Sequence, residues 1–251
     1  MSLPKLQNPI AYFCAEFAID NDLPTYSGGL GVLAGDVMSE AAEENFPYIG
    51  IGILYKGHGF VQHITGSRQE EKRDTEFDHD TSFLRQTLKD GKPLTVFLPK
   101  EYGQVVVKSY HIRLADNTIL YFLSTDVDNN PPEWISDMDA LYRGDINSQI
   151  RQQILLGVGG LKLLKALNIK PRLYHINEGR PGLLIWELAA NIMSDEKIPF
   201  NKAWKKARKQ IVYTNHTLVP AGNLEYNVAS IEKLSYGLDF YRSPLPKSDP
   251  S

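Results

Sequence analysis

At 251 residues, with 42% hydrophobic and 23% charged positions, the chain has the composition of a globular protein and the length for one large domain. A formal charge of -3 and an isoelectric point near 6.1 supply no broad basic field, which argues against a nucleic-acid partner. The basic cluster Lys202, Lys205, Lys206, Arg208 and Lys209 reads as a solvated helix face. A single cysteine, Cys14, excludes an internal disulfide; the start lacks a signal-peptide pattern, and no run reaches the ~18 apolar residues of a membrane span. A soluble, cytoplasmic protein without a membrane partner is expected.

The first element in the chain is Ile10-Ala11-Tyr12-Phe13-Cys14, an apolar run rich in strand formers. It leads through a polar loop with Pro24 into Tyr26-Ser27-Gly28-Gly29-Leu30-Gly31, a glycine cluster that opens a predicted helix of roughly residues 30–44. Leu33, Val37 and Ala41, at four-residue spacing, are the expected inner face. Pro47 ends that helix before Tyr48 to Tyr55, which reads as a buried strand. Gly57 and Gly59 suggest a hairpin turn, and alternation over residues 104–112 and 118–124 points to an antiparallel β insertion spanning about residues 57–125.

From Asn147 the period changes to that of a helix. Ile150, Ile154, Val158, Leu161 and Leu164 share one face of a long helix ending near Asn168. Gly157, Gly159 and Gly160 each weaken it by about 1 kcal/mol relative to alanine, so they are expected where another element packs closely. A strand (173–176), helices (181–193 and 200–210) and a strand (211–215) follow, with a short helix near 228–236. This alternation predicts an α/β fold with a Rossmann-like parallel sheet flanked by helices. Ligands of such sheets bind at the carboxyl ends of the strands, which directs attention to the loops 18–31, 177–180 and 216–223.

The glycine turn is suited to an anion or a sugar hydroxyl. Gly28 and Gly29 carry no Cβ to block a ligand, and the first N–H groups of the next helix point into the loop. A purely structural turn is the plainer alternative. Gly29 to Ala34 also fits the G-x-G-x-x-A dinucleotide pattern, yet about 14 residues separate it from the preceding strand, where that fingerprint needs a tight turn. Asp126 to Asn130 begins like a calcium loop, but Pro131 stands at the sharp-turn glycine position, so an acidic turn is expected. His216 directly follows a strand and is either a structural or a catalytic histidine. Asn177-Glu178-Gly179 ends another strand; Glu178 suits an acid, a base, a sugar ligand or a helix cap. No spacing suggests a metal site or a nucleophile elbow.

Together Tyr12 to Phe17, Leu23 to Asp36, Leu141-Tyr142-Arg143-Gly144-Asp145, Tyr174 to Gly179 and Tyr213 to Thr217 make the chain resemble the α-glucan (glycogen or starch) phosphorylase family, in its shorter bacterial type. The match runs over nearly the whole chain. The resemblance implies the N-terminal domain of a GT-B architecture, residues 1–251, facing a second domain across a cleft. It implies that Gly28, Gly29 and Leu30 form a backbone cradle near phosphate and sugar, that Glu16 supports this loop, that His216 contacts the donor sugar, and that Asn177 and Glu178 border the same pocket. The implied chemistry is reversible phosphorolysis of α-1,4-glucan with retention, using the phosphate of pyridoxal phosphate, with α-glucan or maltooligosaccharide and phosphate as partners.

Two positions depart from the family pattern. Arg180 stands where histidine usually follows Asn-Glu-Gly, and Ala18 replaces a glycine or a bulkier residue. The segment carrying the lysine that binds pyridoxal phosphate is absent from this sequence, so the chain is expected to be inactive without a C-terminal GT-B domain, supplied in cis or in trans. A non-catalytic carbohydrate-binding or regulatory module, and a glycogen or starch synthase-like domain, are the rival expectations.

Overall fold

The run beginning at Ile10 forms strand β1 (Ile10–Phe13) at the centre of a mixed sheet. The structure is a computed structural model that describes the chain outside residues 1–5, 21–22, 58–59, 65–66, 68–69, 75–82, 101–102, 143–144, 220–224 and 239–251. After β1 come α1 (Gly29–Glu43), β2 (Tyr48–Ile53), β3 (Phe60–Ile64) and β4 (Glu70–Asp74), then the short β5 (Arg85–Gln86), β6 (Leu88–Lys89) and β7 (Lys92–Pro93). Next are β8 (Thr95–Lys100), β9 (Gly103–Arg113), β10 (Thr118–Ser124) and α2 (Pro132–Ser136). The remainder comprises α3 (Ile146–Gln153), a π-helical stretch (Ile154–Gly159), α4 (Gly160–Ala166), β11 (Leu173–Asn177), α5 (Leu184–Glu196), α6 (Phe200–Arg208), β12 (Ile211–Thr214) and α7 (Val228–Leu234). The turn expected at Gly57 and Gly59 falls partly outside the described residues.

The main sheet has the order β12-β11-β1-β2-β10-β9-β5, with β8 also paired to β9. From β12 to β10 every pairing is parallel; β9 then runs antiparallel to β10. The antiparallel strands foreseen from the alternation are therefore continuous with the parallel sheet. β10, expected within the antiparallel segment, pairs in parallel with β2 from Thr118↔Tyr48 to Leu123↔Ile53. Its seven residues are all buried, as a strand covered on both faces must be.

Strand alternation divides the core in two. Tyr12, Cys14, Leu120 and Phe122 face α1, where they meet Phe17 and Met38. Phe13, Ile51, Tyr121 and Leu123 face the opposite way, against the π stretch, α4 and α5. The inner face of α1 is Gly31, Ala34, Gly35, Met38 and Ala41; Leu33, expected inside, is 39% exposed. Close approach explains the difference. A Cβ on Gly35 would lie 2.1 Å from the Ala18 carbonyl oxygen, so the helix sits against backbone and turns its small residues inward.

The expected long helix after Asn147 is three segments. Asp145 caps its start by accepting from Ser148 N–H at 2.8 Å, and the α-helical ladder loosens to π over Ile154–Gly159. All five predicted face residues are buried. A Cβ on Gly157 would come within 2.8 Å of Leu184 N and one on Gly160 within 2.5 Å of Phe13 Cε1, the close packing inferred for these glycines. Asp126 to Asn130 is structural: Asn130 bonds both backbone groups of Val106, at 2.8 and 2.7 Å. The basic residues of α6 form an exposed face.

Gly35→Ala is expected to lower the urea midpoint, its overpacking against unyielding backbone costing about 1–3 kcal/mol against the ~1 kcal/mol gained in helix propensity. Gly28→Ala, where a Cβ meets nothing within 4 Å, is expected to cost no more than the ~1 kcal/mol of a weaker N-cap.

Candidate functional site

β1, β11 and β12 are neighbours running in one direction, so the loops leaving their carboxyl ends emerge side by side. Glu16, just beyond β1, is buried. Its Oε2 accepts from Ser27 N–H at 2.9 Å, with the Gly28 N–H also directed at the carboxylate, and its Oε1 accepts from the Tyr142 hydroxyl. Burial raises the pKa of Glu16, while the two amides and the positive charge of Arg180 oppose the shift.

Gly28 is the N-cap of α1 in extended backbone (φ -166°), and Gly29 and Leu30 are its first helical residues. The Gly31 and Val32 N–H groups return to the Gly28 carbonyl, whereas those of Gly29 and Leu30 meet no acceptor among the described residues. A Cβ on Gly28 or Gly29 would meet nothing within 4 Å. Neither the backbone conformation of Gly28 nor the surrounding protein requires glycine there. The result is an exposed helix N-terminus with free donors and no side chain over it.

At the end of β11, Asn177 bridges two strands. Its Nδ2 donates to Cys14 Sγ at 3.2 Å, and its Oδ1 lies 2.9 Å from His216 Nε2. With the amide oriented this way Nε2 carries the proton, and in the neutral ring Nδ1 is left as an acceptor. Burial pushes the Cys14 thiol up to about 11, so it is a neutral packing group. Glu178 adopts a left-handed backbone (φ 61°); its Oε1 accepts from the N–H groups of His216 (2.7 Å) and Thr217 (3.0 Å) and from the Thr217 hydroxyl (3.2 Å). Its carboxylate thus fixes the loop that carries His216, and α5 begins only at Leu184, away from the helix-capping role considered for it.

Arg180 lies over Tyr142, its guanidinium carbon 5.3 Å from the centroid of that ring, close enough for its charge to act on Glu16. Its Nη1 is enclosed, with no hydrogen-bond partner among the described residues. Tyr142 itself is left-handed (φ 58°). The fold thereby joins Glu16, Gly28, Tyr142 and Arg180 in one group and Asn177, Glu178 and His216 in another, linked through Cys14.

Two participants had no role in the sequence reading. Tyr142 lies in the quoted Leu141 to Asp145 segment, but only the fold brings it to Glu16. His175 alternates onto the face of Asn177, the one signal available; its Nε2 lies 2.8 Å from Thr214 Oγ1, its Nδ1 3.2 Å from the Tyr48 hydroxyl, and its ring 4.7 Å from that of Tyr12. Burial, then the nearby His216, lowers its pKa.

The carbohydrate phosphorylase family profile matches residues 162–237. Over 247 residues, 98% of this chain and 29% of the relative, the sequence is 37% identical to a maltodextrin phosphorylase of Thermococcus litoralis. It is 32% identical to a glycogen phosphorylase of Mycobacterium tuberculosis, covering 86% of this chain and 26% of that protein, and 30% identical to one of Aquifex aeolicus, covering 93% and 34%. The chain is a relative of the α-glucan phosphorylases. It spans about a third or less of these curated relatives.

No lysine is buried among the described residues. Among the same residues no group of three or more His, Cys, Asp and Glu side chains could hold a metal, and no helix is long and apolar enough to cross a membrane.

Because burial raises the folded-state pKa of Glu16 above its unfolded value of about 4.3, the folded chain binds this proton more tightly. Its contribution to stability is therefore fully present below that pH and declines as pH rises through the folded pKa. Glu16→Gln is expected to flatten the fall in stability across that window. Arg180→Ala, which removes an opposing charge, is expected to raise the Glu16 pKa further, as read by carboxyl carbon chemical shifts in an NMR titration.

Proposed function

We propose that this chain is the N-terminal part of an α-glucan phosphorylase and forms one wall of a pocket in which phosphate cleaves an α-1,4-glucosidic bond to release glucose 1-phosphate. The observation that carries the reading is the bare N-terminus of α1 at Gly28 and Gly29, in the loop that leaves the carboxyl end of β1, with the His216 loop leaving the carboxyl end of β12 two strands away in the same parallel sheet. Glycine at these two positions, where a Cβ would meet nothing within 4 Å, leaves the backbone open to a ligand that approaches from outside the chain.

In this reading the Gly29 and Leu30 amides donate to phosphate or to a sugar oxygen, and the helix end favours the anion by about 0.3–2 kcal/mol. Glu16 holds the loop through Ser27, and Glu178 holds the His216 loop, so neither carboxylate needs to touch the sugar. His216, its Nε2 committed to Asn177, presents the other edge of its ring to the donor sugar. Fixed donors of this kind serve an oxocarbenium-like sugar flanked by phosphate, where charge develops during cleavage. The second GT-B domain and the pyridoxal phosphate come from polypeptide beyond this chain, and the chain alone is inactive. The single buried thiol fits a cytoplasmic enzyme.

The reading is tested by combining the chain with the remainder of the Thermococcus litoralis maltodextrin phosphorylase, pyridoxal phosphate, glycogen and phosphate. Glucose 1-phosphate is expected from the mixture and not from the chain alone. His216→Ala is expected to lower the rate about 100-fold or more. Product formed equally well by the His216→Ala mixture would remove His216 from the reaction, and calorimetric binding of maltooligosaccharides by the chain alone would favour a stand-alone carbohydrate-binding module.

A further inference from the structure

Four strands of the sheet meet in one polar bridge on the α1 face. His175 of β11 alternates onto the same side as Asn177, in register with Tyr12 of β1 on one flank and Val212 of β12 on the other. Its Nδ1 lies 3.2 Å from the hydroxyl of Tyr48 on β2, its Nε2 lies 2.8 Å from Oγ1 of Thr214 on β12, and its ring rests 4.7 Å from that of Tyr12. A neutral imidazole offers one donor and one acceptor, and each hydroxyl can take either part, so both ring nitrogens are satisfied. Burial, then the charge of His216, disfavours a proton on His175 and keeps the ring in that neutral form.

β12 depends on this bridge because packing does little for it. No residue of Ile211–Thr214 is buried, and Val212, beside His175, is 42% exposed. The strand is held by its ladder to β11, by Glu178 N–H on the Thr214 carbonyl and by His175 on the Thr214 hydroxyl. Thr214 stands two residues before His216, whose own restraints are Asn177 Oδ1 on the ring and Glu178 Oε1 on the backbone N–H. His175, Asn177 and Glu178 therefore grip successive points of one exit: the Thr214 hydroxyl, the His216 ring and the His216 backbone.

We infer that His175 is a positioning residue for His216: through Thr214 it sets where β12 ends, and so where the histidine ring enters the sugar pocket. The inference rests on the proposed function for the pocket, and it adds the residue that aims His216 and the protonation state this requires. The ionisable neighbours of His175 are Tyr12 and Cys14 of β1, Tyr48 of β2, and His216 and Glu178 past the strand ends. Beyond Tyr48, the carboxylates of Asp36, Glu40 and Glu44 wall the groove that its ring floors. His216 is the member whose positive charge opposes a proton on His175. Because the fold favours the neutral ring, this contribution to stability is full above the unfolded value of about 6.5 and is lost as pH falls through the folded one. Two positive rings on one face repel, so the His216 loop loosens as His175 gains its proton.

The test uses the full chain by itself first. The His175 titration is followed by NMR at its Cε1 proton, and the His216 and Thr217 amides by hydrogen exchange between about pH 5 and pH 8, relative to the Tyr121 amide at the centre of the sheet. His216→Asn is expected to raise the His175 midpoint, since it removes the opposing charge. His175→Leu, which has no ring nitrogen, is expected to speed exchange of the His216 and Thr217 amides about fivefold at pH 8 relative to Tyr121. His175→Gln, whose terminal amide stands where Nε2 does, is expected to restore their protection at pH 8 and to abolish its fall at acid pH. Where the leucine variant does not fold, Thr214→Val breaks the same bond from the other side. Equal protection in parent and leucine variant, a glutamine variant as unprotected as the leucine one, or a His175 midpoint indifferent to His216→Asn would overturn the inference. In the mixture with the remainder of the Thermococcus maltodextrin phosphorylase, His175→Leu is expected to lower kcat by a larger factor than it raises the KM for phosphate, and His175→Gln to match the parent at pH 8. Product at the parent rate from His175→Leu with its loop unprotected would remove the positioning role and leave the activity standing. No product from any mixture, with the exchange results as expected, would remove the activity and leave the hold of His175 on the loop.

Discussion

The site depends on the parallel pairing of β1 with β11, from Ile10↔Leu173 to Phe13↔Ile176. That register sets the carboxyl ends of two strands, more than 160 positions apart in the chain, at the same level, so Cys14 reaches Asn177 and the loops beyond them share one rim. The pairing of β12 in the same direction adds His216. A slip of one residue in either ladder would turn Asn177 or Thr214 to the opposite face and dissolve the cluster.

Two buried carboxylates then convert strand ends into shaped loops. Glu16 and Glu178 are both largely withdrawn from water, and each spends its acceptors on backbone N–H groups of a loop distant in sequence, Ser27 in one case and His216 and Thr217 in the other. A buried carboxylate without such donors would be costly, so the loops are held in the one arrangement that satisfies it. Tyr142 and Arg180 add a second restraint on Glu16, through a hydroxyl and a nearby positive charge. Support behind the loop leaves the Gly28 and Gly29 backbone uncovered on its outer side.

Much of the architecture was legible in the chain. The apolar runs at Ile10, Tyr48, Leu173 and Ile211 are strands because β-branched and aromatic residues cluster there, and the 3.6-residue period after Asn147 marks a buried helical face whose five residues are all inside. The glycines at 157 and 160 announced close packing. What periodicity missed was context. Leu33 has the spacing of a core residue, yet α1 packs through Gly31, Ala34 and Gly35 because the Ala18 backbone stands too near for larger side chains. The parallel partner of β10 also had no local signature, since alternation reports which face a residue takes and not the direction of the neighbouring strand.

The sequence by itself determined the strand and helix segments, the glycine opening of α1, the likeness to the α-glucan phosphorylases and the candidates Glu16, Asn177, Glu178 and His216, because each is written in local composition or in a short motif. Only the tertiary structure decided that Tyr142 and Arg180 act on Glu16, that Glu178 supports the His216 loop, and that His175 lies beneath it. These are contacts between segments remote in the chain. They exist only once the sheet has brought the segments to a common edge, and no local pattern encodes them.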